Sequence, residues 1–183
     1  FKEPDDALAS SVIGLGIQDS LRRAVPWIEP VHFAKLTDRF RYHYLAKDHE
    51  LDLFVGIREL LENLREDQYL LGVATGKSRV GLDRSLKHHQ IGHLFHATRT
   101  ADESFSKPHP GMLLELSDAT QVPTRRMLMI GDTTHDLDMA ANAGVDAIAV
   151  TYGAHPPDTL RTSKSLAHVN DVVQLAQWLK QNL

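Results

Sequence analysis

The stretch Met127-Leu-Met-Ile-Gly-Asp-Thr-Thr-His-Asp-Leu-Asp138 joins a short apolar run to a polar turn and the start of a helix. Residues 127–130 have the composition of a buried strand that ends at a glycine. After the turn, Leu137, Ala140 and Ala141 follow at the i, i+3, i+4 spacing of one helix face. A buried strand that leads directly into a helix is typical of a parallel sheet covered by helices, so this stretch predicts an α/β fold.

The same succession of strand and helix recurs on both sides of this stretch. Short apolar runs, each followed by a polar or glycine-containing turn, predict strands at residues 69–74, 94–97, 127–130 and 147–150. Apolar spacing and end signals predict helices over residues 56–66, 79–90, 110–121, 134–143 and 171–182. Alternating strands and helices form right-handed βαβ units. We therefore expect a Rossmann-like parallel sheet with helices on both faces.

The first fifty residues have a different pattern, with helical spacing and no strand-like run. Pro26 and Pro30 separate two apolar stripes, Ile13, Ile17 and Leu21 in the first and Phe33, Leu36 and Phe40 in the second. The pattern predicts a small helical cap domain over residues 1–52 and an α/β core over residues 53–183. A parallel sheet binds its ligands beyond the carboxyl ends of its strands, so the site is expected there.

The composition excludes several classes of function. The 183 residues include 20 basic and 24 acidic side chains, and a net charge of −4 argues against a broad electrostatic surface for nucleic acid. The chain has no cysteine, which excludes disulfides, thiolate metal sites and cysteine nucleophiles. No apolar run reaches the roughly 20 residues of a membrane span. We expect a cytoplasmic protein, a monomer or homodimer, that acts on a small molecule and binds no membrane.

Two carboxylates follow the strand predicted at residues 127–130. Gly131 lets the backbone approach a ligand, and Asp132 and Asp136 can hold a hard cation such as Mg²⁺. The alternative is structural, because Asp132 or Thr134 could cap the next helix while Asp136 complements the helix dipole. This segment alone leaves both interpretations open.

A second candidate site follows the strand predicted at residues 69–74. Thr75 offers a hydroxyl, and the amides of Gly76 and Lys77 stand at a helix start, where backbone N–H groups bind anions. A nucleotide-binding P-loop is excluded by spacing, since only three residues separate Gly72 from Gly76. The alternative is an ordinary turn between a strand and a helix.

The third candidate is Lys107 in the segment Ser106-Lys-Pro-His-Pro110. The following proline biases Lys107 away from helical geometry and restricts where its ammonium group can reach. A positioned ammonium can neutralise a phosphate and the carboxylates beside it. The alternative is a surface lysine that precedes a helix beginning near Pro110.

Taken in order, a hydroxyl, a lysine and a carboxylate pair at successive strand ends resemble motifs two, three and four of the haloacid dehalogenase superfamily. The chain is most similar to the phosphoglycolate phosphatase-like branch, through Lys107-Pro-His-Pro, Gly131-Asp-Thr and Val150-Thr-Tyr-Gly. The resemblance implies a Mg²⁺-dependent phosphatase with a helical cap, acting on a small phosphorylated metabolite through an aspartyl-phosphate.

The resemblance also implies a role for each candidate residue. Thr75, with the amides of Gly76 and Lys77, would bind the phosphoryl oxygens, and Lys107 would balance the negative charge. Asp132 would hold Mg²⁺, while Asp136 would hold the water shell of the metal or orient Lys107. From the cap, Arg22 or Arg23 could meet a substrate carboxylate, although a solvated helix face is the simpler interpretation.

One departure from the family is important. Its first motif is a strand that ends in Asp-x-Asp-Gly-Thr and supplies the nucleophile, and no such sequence occurs here. By comparison with the family, we expect this chain to lack a central strand, to expose apolar surface on the neighbouring strands, and to be inactive alone. The alternatives are a sugar-phosphate mutase, a phosphonate hydrolase that would use Lys35 or Lys47, or a catalytically dead binding module.

Overall fold

The computed structural model describes residues 2–47 and 51–183. The chain begins with three helices, α1 (Asp6–Ser11), α2 (Ile17–Ala24) and α3 (Pro30–Lys47). The apolar stripe predicted through Ile13 and Ile17 does not lie on one helix, because Gly14 adopts a φ of 95° and turns the chain between α1 and α2. Ile13 is consequently 48% exposed. Ile13 and Ile17 keep an i, i+4 spacing although a turn separates them, so the spacing alone could not show the turn.

The remainder of the chain alternates strands and helices, as predicted. The strands are β1 (Gly72–Thr75), β2 (Ala97–Thr100), β3 (Leu128–Gly131), β4 (Asp146–Val150) and β5 (Ala167–Val169). The helices are α4 (Ile57–Glu66), α5 (Arg79–His88), α6 (Gly111–Thr120), α7 (Thr134–Ala143), α8 (Pro157–Leu160) and α9 (Val172–Asn182). Among the described residues, no helix is long and apolar enough to cross a membrane.

All strand pairs are parallel, and β4 shows how helices cover both faces of the sheet. Ala147 and Ala149 pack with α6 and α7, while Ile148 and Val150 pack with α4 and α9. Side chains alternate along a strand, so one strand contributes to two apolar cores. This two-faced burial explains why the run at residues 147–150 reads as continuously apolar.

One predicted strand was wrong in position, and one strand of the structure was not predicted. The strand expected at residues 94–97 begins at Ala97, because Gly92–Leu94 forms a 3-10 turn that buries Leu94. The true strand, Ala-Thr-Arg-Thr, is polar because β2 pairs with β1 at an edge of its sheet. The short strand β5 was not predicted, since its three residues are too few to show alternation.

The strands form two parallel sheets separated by a groove. One sheet has the order β1-β2 and the other has the order β3-β4-β5, so within residues 2–47 and 51–183 β1 and β3 each pair on one edge only. Both strands line one groove of about 910 Å³, together with apolar side chains of α4, α6 and α9. Ile130 on β3 is 38% exposed there.

Candidate active site

The turn between β3 and α7 is held by Thr133 and Asp136. The Thr133 hydroxyl accepts the Asp136 backbone N–H at 3.3 Å, and Asp136 Oδ2 accepts the Thr133 backbone N–H at 3.1 Å, which makes a capping box. Thr133 is therefore the cap residue, and the structural alternative that assigned this role to Asp132 or Thr134 was wrong. Gly131 leaves room for Asp136, because a Cβ at that position would lie 2.2 Å from the Asp136 Cβ.

Lys107 and Asp136 form a buried ion pair. The Lys107 Nζ lies 2.5 Å from Asp136 Oδ1, and the two side chains are only 6% and 4% exposed. Asp136 Oδ2 also accepts the Thr133 hydroxyl at 2.7 Å, so both carboxylate oxygens have protein partners. A surface position for Lys107 is thereby excluded. Among the roles left open for Asp136, this geometry supports the orientation of Lys107.

Asp132 lies at the carboxyl end of β3, where it lines the groove between the sheets. The backbone N–H of Ala154 donates to Asp132 Oδ2 at 2.9 Å. Gly153 is required for this approach, since a Cβ there would lie 2.2 Å from the Asp132 Cβ. The loop after β4 thus closes around the Asp132 carboxylate and holds it half-buried at the mouth of the groove.

The donor set of this turn fits a hard cation in type. Mg²⁺ prefers oxygen ligands and keeps several waters, and Asp132 supplies a carboxylate at a partly accessible position. Within residues 2–47 and 51–183, no group of three or more His, Asp or Glu side chains is arranged to hold a metal. A cation bound at Asp132 would therefore take its other ligands from water, backbone carbonyls or a group entering the groove.

Thr75, Gly76 and Lys77 form the turn from β1 to α5. The Thr75 hydroxyl accepts the backbone N–H of Lys77 at 3.1 Å, so it closes the turn as the structural alternative proposed. The Lys77 ammonium lies 5.2 Å from the centre of the Tyr44 ring on α3. Gly76 has no room for a side chain, because a Cβ would lie 2.5 Å from the carbonyl oxygens of Gly14 and Leu15.

The turn between α1 and α2 links the three predicted motifs. This turn contacts Gly76 through Gly14 and Leu15. It also contacts Ser106, because the Gly16 N–H donates to the Ser106 hydroxyl at 3.2 Å. A Cβ on Gly14 would lie 3.0 Å from the Thr133 hydroxyl oxygen. One loop of the N-terminal helices therefore touches the segments that carry Thr75, Lys107 and Asp132. The sequence alone did not predict that this turn lies against the three motifs.

The two candidate arginines, Arg22 and Arg23, are consecutive residues of α2. Arg22 lies 3.9 Å from Asp19 and 5.5 Å from the Phe33 ring, and its side chain is 64% exposed. Burial lowers the pKa of His135 at the start of α7, and the positive charge of Arg23 contributes to the same lowering. The role of Arg22 or Arg23 towards a substrate carboxylate stays a prediction.

Comparison with known proteins decides the family. Residues 1–150 match the model of the haloacid dehalogenase-like hydrolases. The chain belongs to this family. It is 30% identical over 158 residues to a phosphoglycolate phosphatase of Mannheimia succiniciproducens, covering 81% of this chain and 70% of that protein. A phosphoglycolate phosphatase of Yersinia pseudotuberculosis is also 30% identical, over 92% of this chain and 76% of its own length.

Solved structures support the same assignment. The crystal structure of a predicted phosphoglycolate phosphatase from Haemophilus somnus superposes with a TM-score of 0.84 at 25% identity, covering 98% of this chain and 83% of that chain. The predicted α/β fold, the superfamily and the phosphoglycolate phosphatase-like branch are therefore confirmed. The roles assigned to individual site residues stay predictions.

Proposed function

We propose that the protein is a Mg²⁺-dependent phosphatase that hydrolyses a small phosphomonoester similar to phosphoglycolate. The observation that carries the proposal is the buried Lys107 ammonium, held 2.5 Å from Asp136 beside the turn that presents Asp132. Burying a charged pair is costly unless its geometry is well satisfied, so a buried lysine at the carboxyl edge of a parallel sheet is a strong candidate for anion chemistry. Because the chain belongs to the haloacid dehalogenase-like hydrolases, we propose that the anion bound near Lys107 is a phosphate.

We further propose that the nucleophile reaches the site on a strand that fills the groove between β1 and β3. Both strands present unpaired edges to this groove, and α4, α6 and α9 cover it with apolar side chains. A strand there would be buried on both faces and would pair in parallel with both neighbours. Its carboxyl end would lie beside Asp132, which is where an attacking aspartate is needed.

The chemistry has two steps. In the first, a carboxylate oxygen of the nucleophile would form a bond to phosphorus while the bond from phosphorus to the ester oxygen breaks, and the second aspartate of the Asp-x-Asp motif, as general acid, would protonate the leaving alcohol. In the second, that aspartate would take a proton from water as the water oxygen bonds to phosphorus, and the bond from phosphorus to the carboxylate oxygen would break to release phosphate and the free carboxylate. Lys107 would offset the charge of nucleophile and phosphate, and the backbone amides after Thr75 would bind phosphoryl oxygens.

Asp132 would hold Mg²⁺, which supplies Lewis-acid polarisation of the phosphoryl oxygens when bound. Asp136 would orient Lys107, in line with the two oxygens it already commits to Lys107 and Thr133. The cap would select the substrate, with Arg22 or Arg23 as the candidate for contact with a substrate carboxylate. The expected site of action, the cytoplasm, remains part of the proposal.

The test is to join a strand that ends in Asp-x-Asp-Gly-Thr to the amino side of the chain and to assay para-nitrophenyl phosphate and phosphoglycolate. We expect Mg²⁺-dependent turnover of both, with the greater kcat/KM for phosphoglycolate. Asp132→Asn should abolish the Mg²⁺-dependent turnover, and Lys107→Met should lower kcat at least about 100-fold. Lys164→Met, at an exposed position, is the matched control.

The proposal fails if the extended protein, shown to be folded, turns over neither phosphate ester with Mg²⁺. Interconversion of sugar phosphates without release of inorganic phosphate would identify a mutase instead. Specificity for a phosphonate would direct attention to Lys35, which is exposed on α3, while the side chain of Lys47 lies outside the described residues.

A further inference from the structure

We infer that His155 is a positioning residue that fixes the turn at residues 132–134, an inference that rests on the proposed function of this turn. His155 lies in the loop after β4 and is 4% exposed. Its backbone N–H donates to the Asp132 carbonyl oxygen at 3.1 Å. Its ring nitrogen Nδ1 accepts the Thr134 backbone N–H at 3.2 Å. One residue therefore holds the turn on both sides of Thr133.

These contacts hold Thr134 and Asp132, which lie on either side of Thr133 in the turn. Thr134 is the first residue of α7, and the N–H groups of a first helical turn have no partner inside the helix. His155 satisfies one of these groups from another part of the chain. Ala154, its neighbour, donates to the Asp132 carboxylate at 2.9 Å. The backbone and the side chain of Asp132 are thus held by two consecutive residues.

The remaining ring nitrogen indicates why a histidine stands here. Because Nδ1 accepts a hydrogen bond, the neutral ring carries its proton on Nε2. Nε2 is buried and has no hydrogen-bond partner among the residues that the structure describes. A buried donor without a partner is costly, and an apolar side chain would avoid that cost. An apolar side chain, however, could not accept the Thr134 N–H.

The ring also connects the turn to the N-terminal helices. His135, the second residue of α7, packs edge-on against His155 with ring centroids 5.3 Å apart. His135 Nε2 donates to the Ser11 carbonyl oxygen at 2.8 Å, across 124 residues of sequence. His155 therefore supports α7 at the point where the end of α1 rests on it. Its position makes the turn rigid before any ligand arrives.

The test uses backbone amide hydrogen exchange of the 183-residue chain, followed by NMR. His155→Met removes the acceptor, whereas His155→Asn keeps an acceptor oxygen near the position of Nδ1. We expect the Thr134 amide to exchange at least about 5-fold faster in His155→Met and at nearly the original rate in His155→Asn. Core amides of β4 should be unchanged. His168→Met, at an exposed histidine on β5, is the control.

Two results would overturn the inference. One is an unchanged Thr134 exchange rate in His155→Met. The other is a uniform acceleration of all amides in both His155 variants, which would mean a general loss of stability. Rescue by asparagine is what separates positioning from bulk packing.

A second measurement separates this inference from the proposed function. Mn²⁺, a paramagnetic substitute for Mg²⁺, should broaden the amide signals around Asp132 in the unmodified chain at lower concentration than in His155→Met. Broadening that is absent from every variant, together with the expected exchange pattern, would support the positioning role and contradict the metal part of the proposed function.

Discussion

At the scale of single residues, Lys107 and Asp136 form an ion pair that is buried on both sides. Each charge is removed from water and depends on the other for compensation. Asp136 also completes the cap of α7 through Thr133, so one carboxylate serves both helix formation and lysine orientation. The contacts of Asp136 show its structural role in the cap of α7, and its role in catalysis stays a prediction.

A first prediction concerns the removal of the lysine. Lys107→Met leaves the Asp136 carboxylate buried without its cation, and we expect the free energy of unfolding to fall by about 3–5 kcal/mol. The double variant Lys107→Met with Asp136→Asn should recover a substantial part of that loss, because no buried charge is left unpaired. Urea unfolding measures both. A double variant no more stable than Lys107→Met would contradict the burial argument, and Lys164→Met should change stability by less than about 0.5 kcal/mol.

At the scale of elements, Arg79 fastens α5 to the segment after β2. Its guanidinium donates to both carboxylate oxygens of Glu103, at 2.9 and 2.6 Å, and its backbone N–H donates to Asp102 at 2.9 Å. The hydrogen bonds from Arg79 are the main cause that lowers the pKa of Glu103 to about 2. A lowered carboxylate pKa means that the folded state favours the ionised form.

A second prediction follows for the dependence of stability on pH. Because the pKa of Glu103 is lower in the folded than in the unfolded state, its contribution is present above pH 4.5 and is lost as the pH falls towards about 2. The side chains of Arg79 and Glu103 are 31% and 39% exposed, so solvent screening limits the contribution to about 1 kcal/mol or less. Glu103→Gln should remove it.

The check is a series of unfolding curves between pH 2 and 7. The stability difference between the original chain and Glu103→Gln should shrink steadily below pH 4.5 and should be smaller in 1 M NaCl. Glu62→Gln is the control, since Glu62 lies 4.0 Å from Arg58 in an exposed pair on α4. A difference that stays constant down to pH 2 would show that Glu103 does not act through its charge.

At the scale of the whole molecule, the groove between the sheets is an apolar surface beside two strand edges. Among the described residues, β1 and β3 each pair with a strand on one edge only, and apolar side chains of both strands line the groove. Exposed strand edges and apolar patches favour association with other chains. We therefore expect this groove to take part in association in solution.

A third prediction tests this view. Ile130→Lys places a charge on the exposed edge of β3 and should reduce both concentration-dependent association and the binding of a hydrophobic dye. Light scattering and dye fluorescence measure the two effects. Val173→Lys is the matched control, because Val173 on α9 is 65% exposed. It should change neither the association nor the dye binding. Equal effects of the two substitutions would assign the association to some other surface.

Several features of the molecule were readable from the sequence because they depend on local order along the chain. Apolar runs, the turns after them and helical spacing predicted the α/β core, and the carboxylates after Gly131 and Lys107 before a proline were identified as candidate site residues. Boundaries were less certain where few residues carried the signal. The strand at Ala97–Thr100 was predicted three residues too early, because its polar residues, which an edge strand tolerates, do not read as a strand.

Contacts between distant segments were decided only by the tertiary structure. Nothing in the sequence indicates that Gly14 lies against Thr133 or that Thr134 donates to His155. Hydrogen bonds and close approaches of this kind depend on how whole elements pack, and they leave no periodic pattern in the chain. The sequence by itself thus determined the fold class and the chemical groups of the site. Packing determined which loops hold those groups in place, because only the folded chain brings their atoms within bonding distance.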